Sequence, residues 1–269
     1  MCSEAADMTV HWCAGMYASG STWAYNVMRE IVACLHPDRP VAGRFVNTLA
    51  DLAGIDDQDV HHVVKTHDLP TDVAAALSAH AGHLVVTIRD PRDAVTSLML
   101  YQRYPFAMAL DTIAKSASFV AGFAADPRAL LLRYEDGFPD APETPQRIAR
   151  LFGGTLTADQ AASIFAQSRR DAIEQRIQGL ASLPGAQHDP CSGDIFDPQS
   201  QWHKHHAGRT GEIGRWRRTL LPNQITAIET TLADWMARFA YPRAPLLHIG
   251  YSVSLGSFTI PPPIRKPGA

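Results

Sequence analysis

Gly15 and Gly20 stand either side of Met16-Tyr17-Ala18-Ser19, and Ser21 and Thr22 follow at once. Two glycines at that spacing ahead of a hydroxyl residue suit a loop that folds its backbone N–H groups around a phosphate, as in G-x-x-x-x-G-K-[ST]. The lysine of that pattern is absent, and Ser21 takes its place. Without that cation nothing reaches the transferred phosphoryl group. Ordinary ATP or GTP chemistry is therefore disfavoured, and a different phosphate-like anion is expected. A second candidate is Lys65-Thr66-His67. An imidazole there can take a proton near neutral pH, and a lysine two residues earlier points to the same side of an extended segment. The third is Arg89-Asp90-Pro91-Arg92-Asp93, with Ser97 eight residues beyond Arg89. In a helix that distance is about two turns, so Ser97 can return toward Arg89. An arginine and a hydroxyl meeting at one point suit a terminal phosphate dianion. Read alone, the same segment is also a salt-bridged helix start, with Asp93 complementing the helix N-terminus.

These residues need rigid elements to hold them. The apolar run from Val10 reads as a strand, followed by the glycine-bounded loop and a helix through Asn26, Val27, Ile31 and Leu35. Such a helix start carries outward N–H groups and a partial positive charge. Further strands are expected at His61–Lys65, His83–Ile88 and Ala129–Tyr134, where apolar and β-branched residues run between turn signals. Arg39–Val46 is a short strand or a loop, with helix-like residues to about Ala53; His61 and His62 read as strand-edge residues. Helical patterns cover Pro70 to His80, the stretch after Arg89 through Tyr101, Ala107–Ala125, Glu143–Phe152, Asp159–Ile177 and Pro222–Phe239. The Gly-, Pro-, His- and Asp-rich stretch from Gln178 to Gly208 reads as a long loop or lid. A proline-rich tail closes the chain from about residue 251. Strands alternating with helices imply one α/β domain over residues 1–269, a parallel sheet flanked by helices, with ligands at the strands' carboxyl ends.

Composition narrows the classes. A formal net charge of −3 gives no overall positive field, which argues against general nucleic-acid binding. The only lysines are Lys65, Lys115, Lys204 and Lys266; every other basic residue is an arginine, the side chain suited to bidentate phosphate recognition. Cys2, Cys13, Cys34 and Cys191 form no C-x-x-C pair, so neither a disulfide framework nor a metal framework is expected. No secretory signal and no segment of membrane-spanning length is read, and a cytoplasmic location is the expectation.

Taken together, these motifs resemble the sulfotransferases that use 3′-phosphoadenosine 5′-phosphosulfate (PAPS), over about Val10 to Tyr241. Gly15–Trp23 is similar to the family's P-K-S-G-T-T-W loop for the 5′-phosphosulfate, and Ile88–Ser97 to its 3′-phosphate motif. Arg133-Tyr134-Glu135-Asp136 resembles the Y-E-D segment whose tyrosine approaches adenine, and Arg209–Arg217 the late R-K-G-x-x-G-x-W-K motif. Lys65–Pro70 resembles K-T-H-L-P. The resemblance implies a single domain with about five parallel strands and a P-loop-like turn. It implies a donor site of Ser19, Gly20, Ser21, Thr22, Trp23, Arg89, Ser97, Tyr134, Arg209, Thr210 and Gly211. It makes His67 the general base and gives Lys65 the sulfuryl oxygens, with PAP as product and no metal. The acceptor would be a small molecule or a glycan, held by Tyr101, Arg103, Tyr104, Phe106 and the 178–208 loop. A homodimer is entertained through the proline-rich tail.

One departure matters. Ala18 stands where the family usually has lysine, or arginine in some branches. Losing one electrostatic donor costs roughly a hundred- to a thousandfold in rate. Lys65, Arg209 or Lys204 compensates, or the enzyme is slow, or catalysis is lost and only PAP or PAPS binding kept. A small-molecule P-loop kinase is the weaker rival. His203-Lys204-His205-His206, with Cys191 and Asp194, invites a zinc reading that yields here to a solvated or acceptor-contacting loop.

Overall fold

The computed structural model describes residues 9–188, 193–206 and 211–244. Val10–Gly15 (β1) leads into Ser21–Leu35 (α1), then Val41–Phe45 (β2), His61–Thr66 (β3), Thr71–His80 (α2) and Ala81–Ile88 (β4). Pro91–Tyr101 (α3), Phe106–Phe123 (α4) and Ala129–Arg133 (β5) follow, then Thr144–Leu151 (α5), Ala158–Gln167 (α6) and Arg170–Gln178 (α7). A small antiparallel pair, Gln187–His188 (β6) and Ile195–Phe196 (β7), precedes Trp216–Thr219 (α8), Pro222–Thr231 (α9) and Ala233–Arg238 (α10).

The main sheet has order β2-β3-β1-β4-β5, and every pairing is parallel. As expected for strands covered on both faces, β1 and β3 are buried along their whole length and β4 along most of it, although β3 is apolar only at Val63 and Val64. Alternate residues of β1 face opposite ways. Cys13 joins Val63, Val85 and the α1 stripe Ala24, Val27, Met28, Ile31 and Val32. Trp12 and Ala14 join Val64, Leu84 and the α2 residues Val73 and Leu77. Val86 and Ile88 pack under α3, α4 and α10. Parallel order with this coverage brings the loops after β1, β3, β4 and β5 to one end.

The structure departs from the sequence reading in several places. The residues after β2 form only a single 3₁₀ turn, Leu49–Leu52. The pattern at 159–177 splits into α6 and α7. The break is Ser168, whose hydroxyl turns back on the Ile164 carbonyl at 2.7 Å, while its own carbonyl accepts the Trp23 indole N–H at 2.8 Å. The final pattern splits at Leu232, which lets Trp235 donate to the Ala117 carbonyl at 2.9 Å. Among the described residues one helix, α4, does reach membrane-spanning length and hydropathy. Its stripe Ala109, Ile113, Ser116, Ala117 and Val120 is buried in the helical layer beside β4. The proline-rich tail lies outside the described residues.

His61 and His62 are not edge residues: β3 is interior and both are buried. His11, His61 and His83 sit side by side on β1, β3 and β4, with His11 stacked on His83 at 5.5 Å and His36 on His61 at 4.1 Å. Burial, then the neighbouring His83, His61 and His36, push the His11 pKa down to about 2. The unfolded chain therefore binds a proton that the folded chain refuses. Stability from His11 is fully present above about pH 6.5 and is lost at roughly 1.4 kcal/mol per pH unit as pH falls toward about 2. Urea unfolding between neutral and mildly acidic pH should show this slope, and His11→Phe should remove about that much of it. An unchanged slope would contradict the assignment.

Candidate active site

The gathered loop ends line one cleft of about 1280 Å³. Its floor is the β1–α1 turn. Ala18 and Gly20 both take positive φ, 59° and 83°. A side chain on Gly20 would press on Phe138 at 3.0 Å and Tyr134 at 3.2 Å, so only glycine fits the turn without strain. Gly15 is as confined: a Cβ there would lie 2.2 Å from that of Ser21. Ser19 faces inward, donating to the Met16 carbonyl at 2.5 Å and bonding the Thr87 hydroxyl at 2.7 Å. It pins the turn and does not line the cleft. Helix α1 opens with no side-chain cap and no acidic residue in its first turn. Its N–H groups and dipole are thus left for an anion.

β3 delivers the next two groups. The Lys65 ammonium donates to the Thr22 hydroxyl at 2.9 Å, which sets a buried cation against the first turn of α1. Burial lowers its pKa to about 8, so it stays roughly nine-tenths charged at pH 7. His67 is 8% exposed, stacks on Tyr17 at 3.9 Å and approaches the Gly15 carbonyl through Nδ1 at 2.8 Å. A carbonyl only accepts, so Nδ1 carries the proton and Nε2 keeps its lone pair. Burial first, then Lys65, holds the imidazole well below its ordinary pKa. His67 is a neutral, oriented proton acceptor.

β4 and β5 supply the opposite wall. Arg89 donates to the Ala18 carbonyl at 3.1 Å and the Glu212 carbonyl at 2.8 Å, lies over the Tyr134 ring at 4.4 Å, and among the described residues its buried Nε has no partner. Gly211 has φ 57°, and a Cβ there would fall 2.1 Å from the Tyr134 hydroxyl. Asp93 ties the 211–216 segment down, accepting from Gly214 N at 2.6 Å and Trp216 N at 3.0 Å. Its neighbours are structural. Arg92 bonds both oxygens of Asp90 (Nε 2.9 Å, Nη2 2.6 Å) and Glu229 at 2.7 Å, stacks on Trp216 at 4.0 Å, and does not line the cleft. Within the Arg-Asp-Pro-Arg-Asp run, Arg89 thus lines the cleft, while Arg92 and Asp93 hold the helix start and the segment packed on it.

Gly20, Ser21, Thr22, Trp23, Lys65, His67, Arg89, Ser97, Tyr134 and Gly211 all line the cleft; Arg209 and Thr210 lie outside the described residues. The indole of Trp23 meets Phe138 edge-on at 5.5 Å. Tyr101, Arg103 and Tyr104 line it too, whereas Phe106, the first residue of α4, packs against the apolar cluster around Leu98 and Ile113 instead. Lys204 is exposed and not in the lining. Sequence reasoning missed Tyr17, the stacking partner of His67, and Arg170, which reaches the cleft through the α6–α7 break. No pattern in the chain marks that break.

No family model matches the chain, and no curated protein does. Solved structures do match. Mouse sulfotransferase SULT7A1 complexed with PAP superposes at a TM-score of 0.59, with 14% identity over 86% of this chain and 85% of that one. Retinol dehydratase in complex with androsterone and inactive cofactor PAP gives 0.57, with 17% identity over 85% and 80%. The retinol dehydratase complex with retinol and PAP gives 0.55, with 16% identity over 85% and 81%. At these identities the likeness is one of fold.

Proposed function

We propose that this chain, which has the sulfotransferase fold, transfers a sulfuryl group from PAPS to a hydroxyl or amine of a small-molecule or glycan acceptor. The observation that carries the reading is His67: a neutral imidazole, its Nδ1 proton held by the Gly15 carbonyl, beside a buried lysine at the head of α1. The cleft fits the donor. It offers an uncapped helix start, a Gly20 cradle and a buried Arg89 Nε that has no partner among the described residues. The 5′ end would lie on Gly20, Ser21 and Thr22 and the 3′-phosphate on Arg89 and Ser97, with adenine between Trp23 and Tyr134. Arg209, Thr210 and Gly211 complete the set by resemblance, and Ser19 holds the turn. Bound PAPS supplies a sulfuryl group already activated as a mixed anhydride.

The chain's own work is then threefold. His67 Nε2 takes the proton from the acceptor. Lys65 answers charge growing near the head of α1, the task left vacant by Ala18. The stacked Tyr17 and the Gly15 carbonyl hold the imidazole in line.

Purified protein is tested for PAP binding by calorimetry, and for sulfate transfer from labelled PAPS to phenols, alcohols, amines and glycans. Magnesium is omitted. Transfer above the His67→Ala background is the expected result. Tight PAP binding with no transfer would favour the second reading, a non-catalytic PAP-binding protein, which Ala18 motivates. In a parallel assay with ATP and magnesium, phosphoryl transfer would favour a kinase.

A further inference from the structure

The stretch at 193–206 forms part of the cleft wall, and its histidines have no part in the transfer chemistry above. Phe196 and His203 form an antiparallel bridge and stack at 5.1 Å. Carrying that register two residues outward sets Asp194 opposite His205. The side chains meet accordingly: Asp194 Oδ2 contacts His205 Nδ1 and lies 3.3 Å from His203 Nδ1. One donor atom from each of the three residues lies within 4.8 Å of the other two. Ligands about 2.0–2.2 Å from a tetrahedral zinc ion stand roughly 3.4 Å apart, close to the spacing His203 already has from Asp194. The group is held in place by its surroundings. Ile195 N–H donates to Asp194 Oδ1 at 3.0 Å, and His203 N–H donates to His206 Nδ1 at 3.1 Å. Side-chain exposures of 12%, 22% and 19% for Asp194, His203 and His205 leave an ion a way in.

We propose that Asp194, His203 and His205 form a binding site for one divalent first-row transition ion, of which zinc is the probe, on the wall of the cleft. Two imidazoles and a carboxylate are borderline donors that suit such ions better than magnesium or calcium. Three protein ligands leave a fourth position for water. The proposal stands apart from the donor chemistry, since it is read by binding and not by turnover.

The full chain, freed of metal with a chelator, is titrated with zinc sulfate alone against a chromophoric competitor. One saturable equivalent per chain is expected, lost in Asp194→Ala and in His205→Ala, with circular dichroism reporting the fold. Should either variant misfold, the wild-type chain decides. Zinc should then protect His203 and His205 from diethyl pyrocarbonate, read by peptide mass mapping. Absence of a saturable equivalent, its retention by both folded variants, or equal modification of the two histidines with and without zinc would overturn the site. In each of those cases Asp194 and its histidines are a plain ion-pair cluster.

Discussion

His67→Ala should lower kcat/KM for sulfuryl transfer by about 10² to 10⁴, the contribution of a positioned general base, while PAP binding by calorimetry stays at the wild-type level. The separation follows from geometry. His67 touches Gly15 and Tyr17 at the carboxyl end of β1, whereas Arg89, Tyr134 and Trp23, the groups proposed for the adenosine, come from other elements. The pH profile carries a second signature. A base must be unprotonated, so activity is lost as pH falls through the depressed His67 pKa, which lies well below 6.5. The groups facing that imidazole are Lys65, Tyr17 and, at longer range, His203. A stabilising cation must be protonated, so activity is also lost as pH rises through about 8, where Lys65 titrates. Arginine does not titrate in this range. Lys65→Arg should therefore move the alkaline limb upward even if it lowers the plateau. A wild-type profile with no loss above pH 8, unchanged in Lys65→Arg, would remove Lys65 from the mechanism.

The largest effect on stability should come from Arg92. Its guanidinium is 2% exposed, forked on Asp90 and bonded to Glu229, whose side chains are 10% and 12% exposed. Arg92→Ala leaves two mostly buried carboxylates without their cation and removes one of the two guanidinium groups, Arg92 and Arg217, that lie over Trp216. Breaking a buried pair from one side costs about 3–5 kcal/mol. Urea unfolding should show that loss as a lower midpoint with an unchanged slope. Arg92→Lys should recover little, because an ammonium cannot span both Asp90 oxygens and Glu229 at once. Near-wild-type stability in Arg92→Ala would mean that the network contributes no more than an apolar filler. PAP affinity should fall far less in folded Arg92→Ala than in Arg89→Ala, since only Arg89 lines the cleft.

How much of this was legible beforehand differs from element to element. β1, β4 and β5 announce themselves as short apolar runs, β3 by its Val63-Val64 pair, and Gly15 and Gly20 mark the turn, because local sterics and hydrophobic periodicity are written residue by residue. The cleft residues Lys65, His67, Arg89 and Tyr134 were legible because each lies at a strand's carboxyl end or just beyond it, and parallel order sends those ends one way; Thr22 followed from the loop pattern and Ser97 from helical spacing. Other features depend on partners distant along the chain. His61 is buried and not at an edge because β2 pairs outside β3, a matter of strand order that no local pattern encodes. The helix over 159–177 breaks because the Ser168 carbonyl serves Trp23, 145 residues away. Arg89 and Arg92, three residues apart and alike in sequence, part company only because Glu229 and Trp216 wait on one side and the cleft lies on the other. Asp194 meets His203 and His205 only once the chain folds back across Phe196. Period and turn chemistry are local and survive in one dimension; burial, pairing and charge neutralisation belong to neighbours that the folded chain alone brings together.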